Sequence, residues 1–348
     1  MMTTLKRAAI AVLALGAFAA GAVSSARAEV KLSGGGATFP NPLYSRWVQE
    51  YEKAHPGVKI EYQSIGSGGG IKGITDKTFD FAGSDAPMNE KEKKAAGAPI
   101  VHIPSCAGAV VLSYNLPGFD GELKLTGEAI ADIYTGKITN WSDPKLAALN
   151  EGAKLPNAAI TPVYRTDGSG TTFIFTNYLA TQSESFKSSV GMGKQVKWPV
   201  GQGGKGSEGV TAAVQQTPGT IGYIELLYAS ENKIPFASVK NKEGAFVKAS
   251  PETVAAAGAG AIDKMGESLA VDIWNQPGAT AYPISAFTYL LVYQDLSVLK
   301  SPEKAQALME FLTWATHDGQ EIAKQLGYAP LSPAVVKKVE AAIAGLKM

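Results

Sequence analysis

The 348-residue chain carries 32 Lys and Arg against 31 Asp and Glu, a formal net charge of +1, with three His and one Cys. That balance, without basic runs, excludes a general nucleic-acid binder, and a single cysteine excludes an internal disulfide, so stability has to come from an apolar core. Three histidines and one cysteine scattered along the chain leave too few ligands for a transition-metal site, and no metal or other cofactor is expected.

Residues 1–28 read as an export signal. Lys6 and Arg7 give it a positive start, Ala8 to Val23 is an almost unbroken apolar run, and Ala26-Arg27-Ala28 is the small-x-small pattern cut by signal peptidase. The run falls short of the ~20 strongly apolar residues that a spanning helix needs. Cleavage after Ala28 leaves a mature chain starting at Glu29, with a net charge of −2 once Lys6, Arg7 and Arg27 are gone. The product is expected in the periplasm, with length enough for about two domains.

Beyond the signal, Val-, Ile- and Tyr-rich segments alternate with amphipathic stretches, the pattern of an α/β protein with mostly parallel sheets. A helix is predicted after Pro40 and Pro42, with Leu43, Trp47, Val48 and Tyr51 on one face and a stop at His55-Pro56-Gly57. Val58 to Gln63 alternates as a strand, and a second helix starts within Ser67 to Gly70. Thr78 to Phe81 leads into the turn-rich Gly83 to Pro87. Val101 to Tyr114 is apolar enough for buried strand, with a small-residue interruption at Ala107-Gly108. Helices are predicted over 127–134, 142–149 and 171–179, followed by a Gly-rich stretch at 201–209 and a strand at 221–224. Residues 251–270 fit either helix or loose connection. Ile284 to Tyr293 is strand-like, and Pro302 to Gln325 reads as one long helix.

Three short Gly, Ser or Thr loops stand directly before helices: Gly34 to Phe39, Gly66 to Gly70 and Asp167 to Thr172. A helix start offers unpaired N–H groups and partial positive charge, glycine lets backbone approach a ligand, and Ser and Thr add hydroxyl donors. Three such starts aimed at one point make an anion site with little formal charge, although each alone is also an ordinary helix cap. Gly68-Gly69-Gly70-Ile71-Lys72-Gly73 matches a dinucleotide fingerprint, but as one of three Gly-rich starts in an exported chain it argues weakly for one. Ile65 and Asp167 occupy the places of the first glycine in a nucleophile elbow, which speaks against a serine hydrolase. Cys106 reads as a buried, inert thiol, since no histidine spacing offers it a partner.

The segments GGGATFPNPLYSRW, YQSIGSGGGIKGI, DFAGSDAPM, IADIYTGKITNWSDP, YRTDGSGTTFIFTNYL, VKWPVGQGGKG and PGTIGYIE, in this order, resemble the phosphate-binding subunit of the bacterial high-affinity phosphate ABC transporter. The likeness is weakest over about 228–280. It implies a monomeric, non-enzymatic, type II two-lobe periplasmic binding protein, with 29–112 plus 283–348 as one lobe, 113–282 as the other, and a two-strand hinge. It further implies inorganic phosphate between the lobes and permease subunits of the transporter as partners. Carried over by position, the ligands are Thr38, Phe39, Ser67, Asp85, Arg165, Ser169, Gly170 and Thr171, with Asp167 supporting Arg165.

The chemistry of these residues is coherent. Hydroxyls and backbone N–H groups donate, and Arg165 has the fork geometry suited to a tetrahedral oxyanion. Asp85 repels a dianion unless it accepts a hydrogen bond; phosphate near neutral pH still carries a proton to give, whereas sulfate carries none. Asp85 then filters anions by what it cannot accept. Its plain alternative is a turn-former ahead of Pro87, and for Arg165 and Asp167 an exposed ion pair. Another oxyanion, a phosphorylated small molecule, or an extracellular phosphatase remain the rival readings, the last lacking an evident nucleophile with base or metals.

Overall fold

The computed structural model describes residues 29–348; the export signal expected over 1–28 lies outside the described residues. The strands are β1 (Val30–Gly36), β2 (Val58–Ser64), β3 (Phe81–Ser84), β4 (Ile100–Tyr114), β5 (Lys124–Leu125), β6 (Thr161–Arg165), β7 (Gln202–Gly204), β8 (Thr220–Glu225), β9 (Ser238–Lys240), β10 (Phe246–Val247) and β11 (Ser285–Tyr293). The helices are α1 (Asn41–Ala54), α2 (Ser67–Thr75), α3 (Glu90–Ala96), α4 (Gly127–Tyr134), α5 (Pro144–Leu149), α6 (Gly170–Gln182), α7 (Glu184–Ser189), α8 (Gly206–Gln216), α9 (Leu226–Glu231), α10 (Pro251–Ala259), α11 (Pro302–Thr316), α12 (Asp318–Leu326) and α13 (Pro333–Ala344).

Eight strands form one sheet in the order β2-β1-β3-β11-β4-β8-β6-β7, and a small sheet holds β10-β9-β5. The mixed α/β class is the one expected, but the parallel pairs are confined to the flanks. β11 runs antiparallel to β3 and β4, and β4 antiparallel to β8, so the middle of the sheet is antiparallel. β4 changes partner along its length: Ile100 to Ala109 lie against β11, and Val110 to Tyr114 against β8. The segment entering β11 passes the same point, where Val110 N–H donates to the Ile284 carbonyl at 2.8 Å.

The interruption expected at Ala107-Gly108 is absent; β4 is continuous there. Its glycine serves packing instead, because a Cβ on Gly108 would lie 2.7 Å from the Phe39 ring. β1 was masked in the sequence by Gly34-Gly35-Gly36, which read as loop. Those residues are glycine because β1 runs under neighbours that leave no room for a side chain: Gly36 has φ +140°, and a Cβ there would sit 2.1 Å from the Gly83 carbonyl oxygen.

The long helix predicted over 302–325 is two helices, α11 and α12, broken at His317. The break brings the Gly319 carbonyl onto the Trp47 indole N–H at 2.7 Å, and glycine is needed because a Cβ would crowd that ring at 3.0 Å. Trp47 is fully buried and packs with Tyr44 and Trp314. Trp47→Ala is therefore expected to cost about 3–5 kcal/mol of unfolding free energy, read as a lowered urea midpoint at unchanged slope.

Candidate anion site

Four helices start around one point. α1 follows Thr38-Phe39-Pro40, α2 begins at Ser67, α6 at Gly170, and α8 at Gly206. Their first-turn N–H groups have no partner within the helix, so each start carries partial positive charge.

The hydroxyls between these starts are buried and linked. Thr38 Oγ1 lies 2.8 Å from Ser207 Oγ and accepts the Ser207 N–H at 3.1 Å. Ser67 Oγ accepts the Gly170 N–H at 3.1 Å and the Asp85 N–H at 3.2 Å. One Arg165 nitrogen, Nη1, lies 3.4 Å from both Thr171 Oγ1 and Ser207 Oγ. Gly170 has to be glycine, because a Cβ would fall 2.5 Å from Ser67 Oγ and 2.6 Å from Asp85 Oδ2. The site thus brings together Thr38, Ser67, Asp85, Arg165, Gly170 and Thr171, residues from four distant stretches of chain.

Phe39 and Ser169 stand differently. The Phe39 carbonyl accepts the Tyr328 hydroxyl at 2.8 Å while its ring packs on Gly108, which leaves its N–H as the polar group it can offer. Ser169 caps α6, its Oγ accepting the Thr172 N–H at 3.0 Å, and its own N–H donates to the Lys194 carbonyl at 2.8 Å. Only its hydroxyl proton remains for a ligand.

Arg165 and Asp167 are not an exposed pair. The Arg165 side chain is 1% exposed, and Nε donates to Asp167 Oδ1 at 2.8 Å while Nη2 donates to Oδ2. Burial works against the guanidinium charge, but hydrogen bonding and attraction from Asp167 outweigh it and raise its pKa. Burial likewise opposes the Asp167 charge, and Arg165 more than compensates, holding that carboxyl below its usual range. Asp167 Oδ1 also accepts the Gly206 N–H at 3.0 Å, tying the arginine to the start of α8. This leaves Nη1 as the arm of Arg165 turned toward the hydroxyls.

Asp85 is the buried acid of the site. Burial pushes its carboxyl up to about 7, against the opposing pulls of a Thr288 hydrogen bond, of Arg165 and of Ser67. Oδ1 accepts the Thr288 hydroxyl at 2.8 Å, and Oδ2 accepts the Ser67 hydroxyl at the longer distance of 3.4 Å and lies at the start of α6.

Ser207 was missed in the sequence, as was α8. The signal was present: Gly203 to Gly209 is a fourth Gly- and Ser-rich run before the helical stretch Val210 to Val214. The G-x-G-x-x-G match at Gly68, Gly70 and Gly73 belongs to packing. Cβ atoms on Gly70 and Gly73 would strike the β1 backbone and the Phe79 ring, and the Gly68 N–H is occupied by the Gly168 carbonyl at 2.7 Å. Cys106 is buried, and its thiol is pushed well up by burial, as an inert cysteine requires.

A family model for the PBP superfamily domain matches residues 22–318. A protein of Pasteurella multocida named phosphate-binding protein PstS is 45% identical over 89% of this chain and 89% of its own. A protein of the same name from Methanocaldococcus jannaschii is 42% identical over 82% of this chain and 78% of its own. Among solved structures, a phosphate-binding protein from Stenotrophomonas maltophilia shares the fold at a TM-score of 0.67 and 22% identity, over 90% of this chain and 94% of that one. A high-affinity periplasmic phosphate-binding protein, PfluDING, solved with phosphate bound, gives 0.70 and 21%, over 90% and 93%. The fold and the superfamily match define the class, a two-lobe α/β substrate-binding protein of the PBP superfamily. Within that class the chain belongs to the PstS family.

Proposed function

We propose that this protein binds inorganic phosphate in the periplasm and delivers it to the permease subunits of an ABC importer. The observation that carries the reading is the gathering of four helix starts, buried hydroxyls and one arm of Arg165 beside Asp85, a buried carboxyl that can accept the proton phosphate still carries. Thr38, Ser67, Ser169 and Thr171 donate hydroxyls, Phe39 and Gly170 donate N–H groups, Arg165 donates from Nη1, and Asp85 accepts the phosphate proton. Asp167 orients Arg165, and Ser207 joins the ligand set. The chain works as a monomer, matured by cleavage after Ala28, and it does not turn over phosphate esters, which a chromogenic ester assay would reveal.

Residues 29–112 with 283–348 form one lobe and 113–282 the other, hinged where β4 changes partner. Phosphate favours the closed form because only closure places Asp85 and Ser67 against Arg165 to Thr171, and a ligand shifts an equilibrium only through such differential contacts. Closure also pairs Lys194 with Glu92 at 2.7 Å, both largely shielded from solvent. Lys194→Met is expected to speed phosphate release about threefold to tenfold in stopped-flow measurements and to leave the preference over sulfate unchanged. An unchanged release rate would remove this pair from the closing energetics.

The primary test is calorimetric titration of the mature protein, stripped of bound anion, with phosphate and with sulfate at neutral pH. One-to-one phosphate binding with no sulfate heat is expected. A folded protein that takes neither would overturn the proposal.

A further inference from the structure

Thr288 lies 203 residues from Asp85 in sequence, is fully buried in β11, and donates its hydroxyl to Asp85 Oδ1 at 2.8 Å. It sits at the one irregularity in the β11–β4 pairing: Thr288 lies opposite Cys106 but Tyr289 opposite Pro104, so Ser105 is an extra residue. The Ser105 hydroxyl donates to the Thr288 carbonyl at 3.2 Å and is itself 2.7 Å from the Tyr44 hydroxyl. Bulges re-aim side chains beside sites, and this one holds Thr288 toward the carboxylate from inside the core.

We infer that Thr288 sets the anion selectivity of the site by occupying Oδ1 of Asp85, so that Oδ2 is the oxygen that meets the ligand. This rests on the phosphate reading given above. Thr288 touches Asp85 and acts through it as a positioning residue. A hydroxyl that donates to a carboxylate favours its ionised, acceptor form. Without that donor the buried carboxyl holds its own proton more tightly, presents O–H where phosphate also brings O–H, and becomes a donor suited to sulfate.

Other ionisable groups surround Asp85, and they bear on any pH profile. Arg165 at the end of β6 and Asp167 just after it face it, and each is shifted toward keeping its charge. Tyr44 of α1, Tyr62 of β2 and Cys106 of β4 act on it from the core, as do Tyr289 of β11 and Tyr328 after α12; burial pushes all five up, toward their neutral forms. Glu225 of β8 is also pushed well up by burial, so an Asp85→Asn background is needed to assign an effect to Asp85.

The test uses the mature protein stripped of anion, as wild type, Thr288→Val, Thr288→Ser, Asp85→Asn and the Thr288→Val/Asp85→Asn double variant. Phosphate and sulfate are titrated from about pH 5 to about pH 9, and the Asp85 carboxyl is followed by carbon-13 NMR without anion. Thr288→Val is expected to weaken phosphate about tenfold to a hundredfold at neutral pH, to admit sulfate at a higher pH than wild type does, and to move the Asp85 titration upward. Thr288→Ser is expected to restore all three, and the Val change to add nothing when Asp85 is already Asn. A folded Thr288→Val protein with the wild-type phosphate-to-sulfate ratio and Asp85 titration overturns the inference, and so does a failure of Ser to restore them. If wild type binds no phosphate while the Asp85 titration still moves with Thr288, the phosphate reading fails and the positioning of Asp85 stands.

Discussion

Arg165→Ala is expected to abolish tight phosphate binding, weakening it by about a hundredfold to ten-thousandfold, because removal of one partner from a buried ion pair costs about 3–5 kcal/mol. The loss has two parts. Nη1 no longer donates beside Thr171 and Ser207, and Asp167 is left with its charge beside the Gly206 N–H at the start of α8. The second part predicts a loss of stability as well as of affinity. Arg165→Ala/Asp167→Ala should recover much of the melting temperature but none of the phosphate affinity. Calorimetry and thermal unfolding on the two variants separate these contributions, and retained micromolar binding in folded Arg165→Ala would remove Arg165 from the ligand set.

Asp85→Asn is expected to weaken phosphate binding and relax the exclusion of sulfate, since an amide can donate to a fully ionised anion. It also predicts a pH signature in the anion-free protein. The folded carboxyl titrates at about 7, above the range it has in the unfolded chain. A group raised in this way contributes stability that is fully present below its unfolded pKa and lost as pH rises through its folded pKa. Wild-type melting temperature should therefore fall between about pH 4 and about pH 8 relative to Asp85→Asn, which has no titratable group at position 85. Parallel melting profiles for the two proteins, together with continued rejection of sulfate, would show that Asp85 is no filter.

Much of this was legible in the sequence because local chemistry and tertiary role coincide. Gly66 to Gly70 and Asp167 to Thr172 look like helix starts and are helix starts, and their glycines leave room for the opposite loop: a Cβ on Gly66 would meet Asp167 Oδ2 at 2.2 Å. What sequence reasoning missed are places where distant contacts override local pattern. Gly34 to Gly36 read as loop, yet they are strand, kept side-chain-free by Phe81, Phe79 and Gly83. Residues 302–325 have one helical period throughout, yet Trp47 holds the chain open at His317 and Gly319. Thr288 has no motif at all. Its role exists only because β11 lies beside β3, which no local pattern announces.

The place of β11 also orders the steps of folding. β1 to β3 come first in the chain, but the strand that joins β3 to β4 in the sheet is β11, the last strand. Until β11 (Ser285–Tyr293) is in place the early segment lacks its central neighbour, whereas β6, β7 and β8 pair with one another within a shorter stretch of chain. Contacts of such long sequence separation form late. In refolding followed by pulsed hydrogen exchange, amides of β6 and β8 are expected to gain protection before those of β3, and the reverse order would show that the early strands assemble without waiting for their missing neighbour.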